Sequence, residues 1–137
     1  MTTTPEMIDL LIEARWIATV APEQVLKNHA VAVNDGRIAA VLPAGEARTR
    51  FKPRQHVTLQ DHILIPGLIN LHTHAAMSLM RGLADDLPLM DWLQKHIWPA
   101  EAAHMSPQFV YDGTRLACAE MLKGSITCFN DRYVLPD

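Results

Sequence analysis

Cysteine is scarce in this 137-residue chain. Cys118 and Cys128 are the only two, each inside an apolar segment and without C-x-x-C spacing. A disulfide framework is excluded as the basis of the fold, and buried thiols in a reducing cytosol are expected. No run of about 18 apolar residues occurs, so no membrane-spanning helix is expected. The opening MTTTPEMIDLLIEARW carries Glu6, Asp9 and Glu13 and no basic cluster, unlike a secretory signal. Positive charge is not in excess either: 12 Lys and Arg stand against 15 Asp and Glu, for a net charge of −3. That balance argues against nucleic acid or a membrane as partner. The expectation is a cytoplasmic protein that handles a small ligand.

What is present describes a soluble domain: 49% hydrophobic and 20% charged residues. Up to about Ile65 the pattern has the short period of strands, at Ile8–Ala14, Trp16–Thr19, His29–Asn34, Arg37–Leu42, His56–Leu59 and His62–Ile65. Asn34-Asp35-Gly36 lies between two such runs and is a hairpin signal, because these residues tolerate the positive φ of a tight turn. Residues 1–62 therefore read as a small antiparallel sheet unit, with Ala44–Phe51 as a short helix.

At Leu64–Asn70 the pattern becomes continuously apolar, as in a strand buried on both faces of a parallel sheet, and Pro66-Gly67 marks the seam. Ser106 as N-cap, Pro107 as first helical residue and Gly124 as C-cap predict a helix over Pro107–Lys123. Phe109, Val110, Leu116, Ala117, Met121 and Leu122 are its expected buried face, and Gly113 weakens it by about 1 kcal/mol relative to alanine. Ser125–Asp131 then returns as a second apolar strand. The fold class is α/β: a βαβ unit over residues 63–137 that begins a (β/α)8 TIM barrel or an open sheet, preceded by the small β unit. A whole barrel takes about 250 residues.

The chemistry-bearing residues sit at the end of the first apolar strand. His72 and His74 are two apart in extended chain, so both imidazoles project to one side, as two ligands of one metal ion would. A catalytic zinc usually takes three protein ligands and a water. His29, His56 and His62 precede the seam, while His96 and His104 lie in a loop, so none is an obvious third. The connection Ala75–Met105 is far longer than an ordinary βα loop, as lids and binding loops are. Within it Leu89, Leu93 and Ile97 recur at helical spacing, and Pro99 is expected to end that helix. The stripe reads as packing, or Trp92 and Trp98 wall a pocket for a flat aromatic ligand. Glu101 is either a solvated carboxylate or an acceptor for substrate hydroxyls.

Taken together, PGLINLHTH, RGLADDLPLMDWL and IWPAE resemble the amidohydrolase superfamily. Within it they are similar to the adenosine-type deaminases that act on 5′-methylthioadenosine and S-adenosylhomocysteine, which are related to the triazine chlorohydrolases. The resemblance covers nearly the whole chain and implies that residues 1–62 are part of a β-sandwich domain beside the barrel. It implies that His72 and His74 are metal ligands to one divalent ion, zinc by expectation. It also makes Glu101 and Trp92 substrate-binding residues, Glu101 at the ribose hydroxyls. The implied reaction is hydrolytic deamination of a nucleoside. The implied partners are that substrate, the remainder of the same polypeptide and a second copy in a homodimer. Catalytic acid and base are implied to lie beyond Asp137, so residues 1–137 alone are expected to be inactive. For Cys128–Asp131 the resemblance suggests no role. Triazine or guanine chemistry on the same ligands is one rival expectation, and a non-catalytic metal-binding module is another.

Overall fold

In the computed structural model, which describes residues 4–133, the chain up to Pro66 builds one unit and the chain from Gly67 builds another. Residues 1–3 and 134–137 lie outside the described residues.

The first unit is a four-stranded sheet of β1 (Glu6–Thr19), β2 (Gln24–Asn34), β3 (Arg37–Pro43) and β4 (Phe51–Leu64), in the order β3-β2-β1-β4. Its hairpins are antiparallel, but β4 lies parallel to β1, so the expectation of a purely antiparallel sheet is corrected. The cause is helix α1 (Ala44–Arg50), a crossover that brings the chain back in the direction of β1. Two pairs of expected short strands merge into single long ones. Between Ala14 and Trp16 the β1–β4 register slips, so the break in apolar pattern near Arg15 and around Gln60–His62 is an irregularity within the strands rather than a turn. Pro53 is tolerated because β4 is an edge strand among the described residues. At the expected hairpin Asp35 and Gly36 have φ of 50° and 69°, and Asp9 Oδ2 accepts the Asp35 N–H at 2.9 Å.

Ile8, Leu11, Ala30, Ala32, Leu42, Ala47 and Phe51 form one apolar cluster, to which α1 contributes Ala47. Ala14, Ile17 and Val31 form a second. Among them lies a carboxylate: Glu13 is only 2% exposed. Arg48 donates to it through Nε at 2.8 Å and also through its terminal nitrogen, and His56 Nε2 stands 2.8 Å from Oε1. The Arg48 guanidinium, aided by the bond from His56, holds the Glu13 carboxyl below its ordinary range despite burial. His56 thus has a structural partner in the sheet, and His29 Nδ1 lies 2.8 Å from the Lys27 carbonyl.

In the second unit β5 (Leu68–Thr73) and β6 (Ile126–Asp131) pair in parallel, and α4 (Pro107–Lys123) runs between them. The helix has the expected caps, with Ser106 Oγ accepting the Phe109 N–H at 3.1 Å. Its expected buried face is met in part, with Ala117 buried and Phe109, Val110 and Met121 half-buried. Gly113 and Ala117 are buried while Leu116 and Leu122 are exposed, because the close contact of α4 is with the 3-10 turn Ala75–Met80. The expected strand Leu64–Asn70 is likewise divided: β4 stops at Leu64 and β5 starts at Leu68, with Ile65–Gly67 irregular between them. Burial of β5 on both faces is not met within these residues, where β6 is its one strand neighbour and Leu71 is 75% exposed. Neither cysteine is buried: Cys118 is half-buried and Cys128 exposed.

The long connection is also helical beyond expectation. Helix α2 (Leu89–Trp92), a π turn (Leu93–Ile97) and helix α3 (Trp98–His104) follow one another directly. Pro99 does not end this run. The Trp98 N–H reaches back five residues to Leu93 O, and that widened turn just before Pro99 accommodates a ring that would otherwise clash with the preceding turn. Ile97 is buried, whereas Leu89 of the expected apolar stripe is exposed, as is Trp98 beside it.

Candidate metal and substrate site

His72 is the penultimate residue of β5, and His74 lies one residue beyond its end. The extended stretch between them keeps the two rings together, with centroids 5.3 Å apart and planes at 66°. Both side chains are exposed. His74 leaves the strand at φ −120°, ψ 75°, and its carbonyl accepts the Met77 N–H at 3.0 Å to begin the 3-10 turn. Asn70 Oδ1 accepts the His72 N–H at 3.2 Å.

The backbone around the pair is held from two sides. Behind the turn, Gly113 of α4 comes so near that a Cβ there would lie 2.4 Å from Ala76 O. From the neighbouring strand, Asp131 Oδ1 accepts the N–H of Ala75 at 3.1 Å and that of Tyr133 at 3.2 Å, while the Arg132 N–H donates to Thr73 O at 3.0 Å. The Tyr133 ring then stands edge-on to His74, centroids 6.4 Å apart, and its hydroxyl donates to Glu101 Oε1 at 2.8 Å. Burial, reinforced by the Glu101 and Asp131 carboxylates, pushes the Tyr133 phenol well above its ordinary pKa, so it remains protonated and a donor.

His72, His74, Tyr133 and Glu101 are therefore brought into one chain of contacts. Trp92 is not part of it: its Nε1–H donates to Leu83 O at 3.1 Å and ties α2 to the preceding loop. Arg81 in that loop is paired with Glu120 of α4. Asp131 and Tyr133 were not singled out from sequence. The available signal was their place at the end of the second parallel strand, level with the histidines on the first.

Two imidazoles are nitrogen donors of the kind zinc takes, and their proximity suits two ligands of one ion. Among the described residues no set of three or more His, Cys, Asp or Glu converges as a metal site. The donors present thus fit two positions of a metal centre.

Residues 63–135, more than half of the chain, match the family description "Amidohydrolase family". The chain belongs to the amidohydrolase family. A 5-methylthioadenosine/S-adenosylhomocysteine deaminase of Saccharophagus degradans is 52% identical over 130 residues, covering 94% of this chain and 29% of that protein. The crystal structure of an adenosine deaminase from Xanthomonas campestris with bound zinc superposes with a TM-score of 0.92 at 56% identity, over 96% of this chain and 30% of the other. The atrazine chlorohydrolase of Arthrobacter aurescens, complexed with zinc, shares the fold at a TM-score of 0.78 and 21% identity, over 92% of this chain and 29% of that one. This amidohydrolase chain thus spans about 30% of the length of the relatives it matches.

Proposed function

We propose that this chain is the N-terminal segment of a metal-dependent aminohydrolase, in which residues 4–66 belong to a β-sandwich domain and residues 67–133 begin a (β/α)8 barrel. The reaction converts an adenosine-type nucleoside and water to the inosine-type product and ammonia. The observation that carries this reading is the His72–His74 pair at the C-terminal end of a parallel strand, where barrel enzymes keep their chemistry. The names of the relatives at 52% and 56% identity support the choice of adenosine-type substrates.

His72 and His74 hold one divalent ion, zinc by the chemistry of the donors. When bound, such an ion makes hydroxide available near neutral pH by lowering the pKa of water from about 15.7 toward 7. Glu101 accepts hydrogen bonds from the ribose hydroxyls, and Tyr133 keeps that carboxylate in place. Trp92 braces the loop and offers its indole face to the bound nucleoside. The remaining ligands and the proton-transferring groups come from the rest of the polypeptide, and the working form is a homodimer.

The test uses the full-length polypeptide, purified with zinc and assayed for ammonia release from 5′-methylthioadenosine, S-adenosylhomocysteine, adenosine and guanine, and for chloride release from a chlorinated triazine. Turnover of the first three, with the ring-only compounds slower by a hundredfold or more, is the expected result. Preference for guanine or the triazine would reject the nucleoside reading.

A further inference from the structure

We propose that Tyr133 is a positioning residue for substrate recognition: it fixes the Glu101 carboxylate so that its free lone pairs meet the vicinal diol of a ribose. This rests on the reading of Glu101 as the ribose acceptor. Glu101 stands in the short helix α3, which has no buried residue of its own, so α3 alone leaves the long carboxylate side chain free to sample rotamers. The Tyr133 hydroxyl supplies the missing constraint at 2.8 Å.

Tyr133 can do so because it is itself tied to the metal-ligand strand. A single oxygen, Asp131 Oδ1, accepts from Tyr133 N–H and from Ala75 N–H, the residue after His74. The Arg132 N–H to Thr73 O bond closes the same corner. The position of the diol acceptor is thus referred to the histidine pair through one continuous set of hydrogen bonds.

A phenol suits this task better than a cation would. Arg or Lys beside Glu101 would orient the carboxylate but neutralise it. Tyr133 occupies one lone pair and leaves the negative charge, with acceptor sites on both oxygens available to two hydroxyls.

The experiment measures kcat and KM of the full-length, zinc-loaded polypeptide on adenosine and on 2′,3′-dideoxyadenosine, for Tyr133→Phe, Glu101→Gln and the double variant. Tyr133→Phe is expected to raise KM for adenosine about tenfold, the scale of one hydrogen bond to a charged group, with kcat and zinc content unchanged and KM for the dideoxynucleoside moved less than about twofold. The double variant is expected to match Glu101→Gln alone. Equal effects of Tyr133→Phe on both substrates, additivity in the double variant, or loss of zinc from Tyr133→Phe would each overturn the inference. If Glu101→Gln itself fails to separate the two substrates, the ribose reading of Glu101 falls, and this inference with it. If Glu101→Gln separates them and Tyr133→Phe does not, only the role of Tyr133 is rejected.

Discussion

Gly113 of α4 and Ala76 of the turn after His74 approach so closely that a Cβ on the glycine would stand 2.4 Å from the alanine carbonyl oxygen and 2.8 Å from its Cα. Both atoms belong to backbone, which has little room to give. In an exposed helix, Gly→Ala would gain about 1 kcal/mol from propensity. Here Gly113→Ala is expected to cost about 1–3 kcal/mol through overpacking and to displace the turn that follows His72 and His74. Chemical unfolding of the full-length variant measures the first effect, and its zinc content after dialysis the second. A raised unfolding midpoint would show that the contact is not a constraint.

The Glu13 carboxylate yields a prediction about acid stability. Its folded pKa lies below its ordinary value of 4.5, so its contribution to stability is present above that pH and is lost as pH falls through the folded value. The unfolding free energy of the native protein minus that of Glu13→Gln should therefore be largest near neutrality and shrink below about pH 4.5. Arg48→Met, which leaves the buried carboxylate with His56 alone, is expected to lower the unfolding free energy at pH 7. Guanidinium titrations at pH 7 and pH 3.5 measure both, and a pH-independent difference would contradict the assignment.

Whether a feature was legible in the sequence followed from how local its cause was. Ser106, Pro107 and Gly124 act within a few residues of themselves, and α4 ends where they say. His72 and His74 are neighbours through strand geometry alone. The parallel pairing of β1 with β4 depends on where α1 returns the chain, which no residue within β4 encodes. Pro99 read as a helix end because the π turn that accommodates it leaves no compositional mark. The Glu13–Arg48–His56 group and the Asp131–Tyr133–Glu101 group join segments far apart in sequence, so neither could be seen before the strands were placed.

The metal assignment is tested by removing one donor at a time. In the full-length polypeptide, His72→Ala or His74→Ala is expected to abolish stoichiometric zinc and to lower kcat/KM by about a hundredfold or more. Residues 1–137 alone are expected to hold zinc weakly and to release no ammonia, since two donors do not close a catalytic site. Metal analysis after gel filtration decides both. Full zinc retention in either histidine variant would reject the ligand assignment.

Asp131 provides the sharpest test of how the histidine pair is supported. Its Oδ1 accepts two backbone N–H groups, one of them adjacent to His74, and the charge of the carboxylate is not needed for either bond. Asp131→Asn keeps an oxygen in the same place, whereas Asp131→Ala removes it and leaves the Ala75 and Tyr133 N–H groups without that acceptor. Zinc affinity, measured by competition with a chelator on the full-length polypeptide, is expected to fall about 10- to 100-fold in the alanine variant, the usual cost of losing support behind a metal ligand. In the asparagine variant it should fall by less than about threefold, because the geometry rather than the charge does the positioning. Equal losses in the two variants would mean instead that Asp131 acts through its charge, by direct electrostatic attraction for the ion.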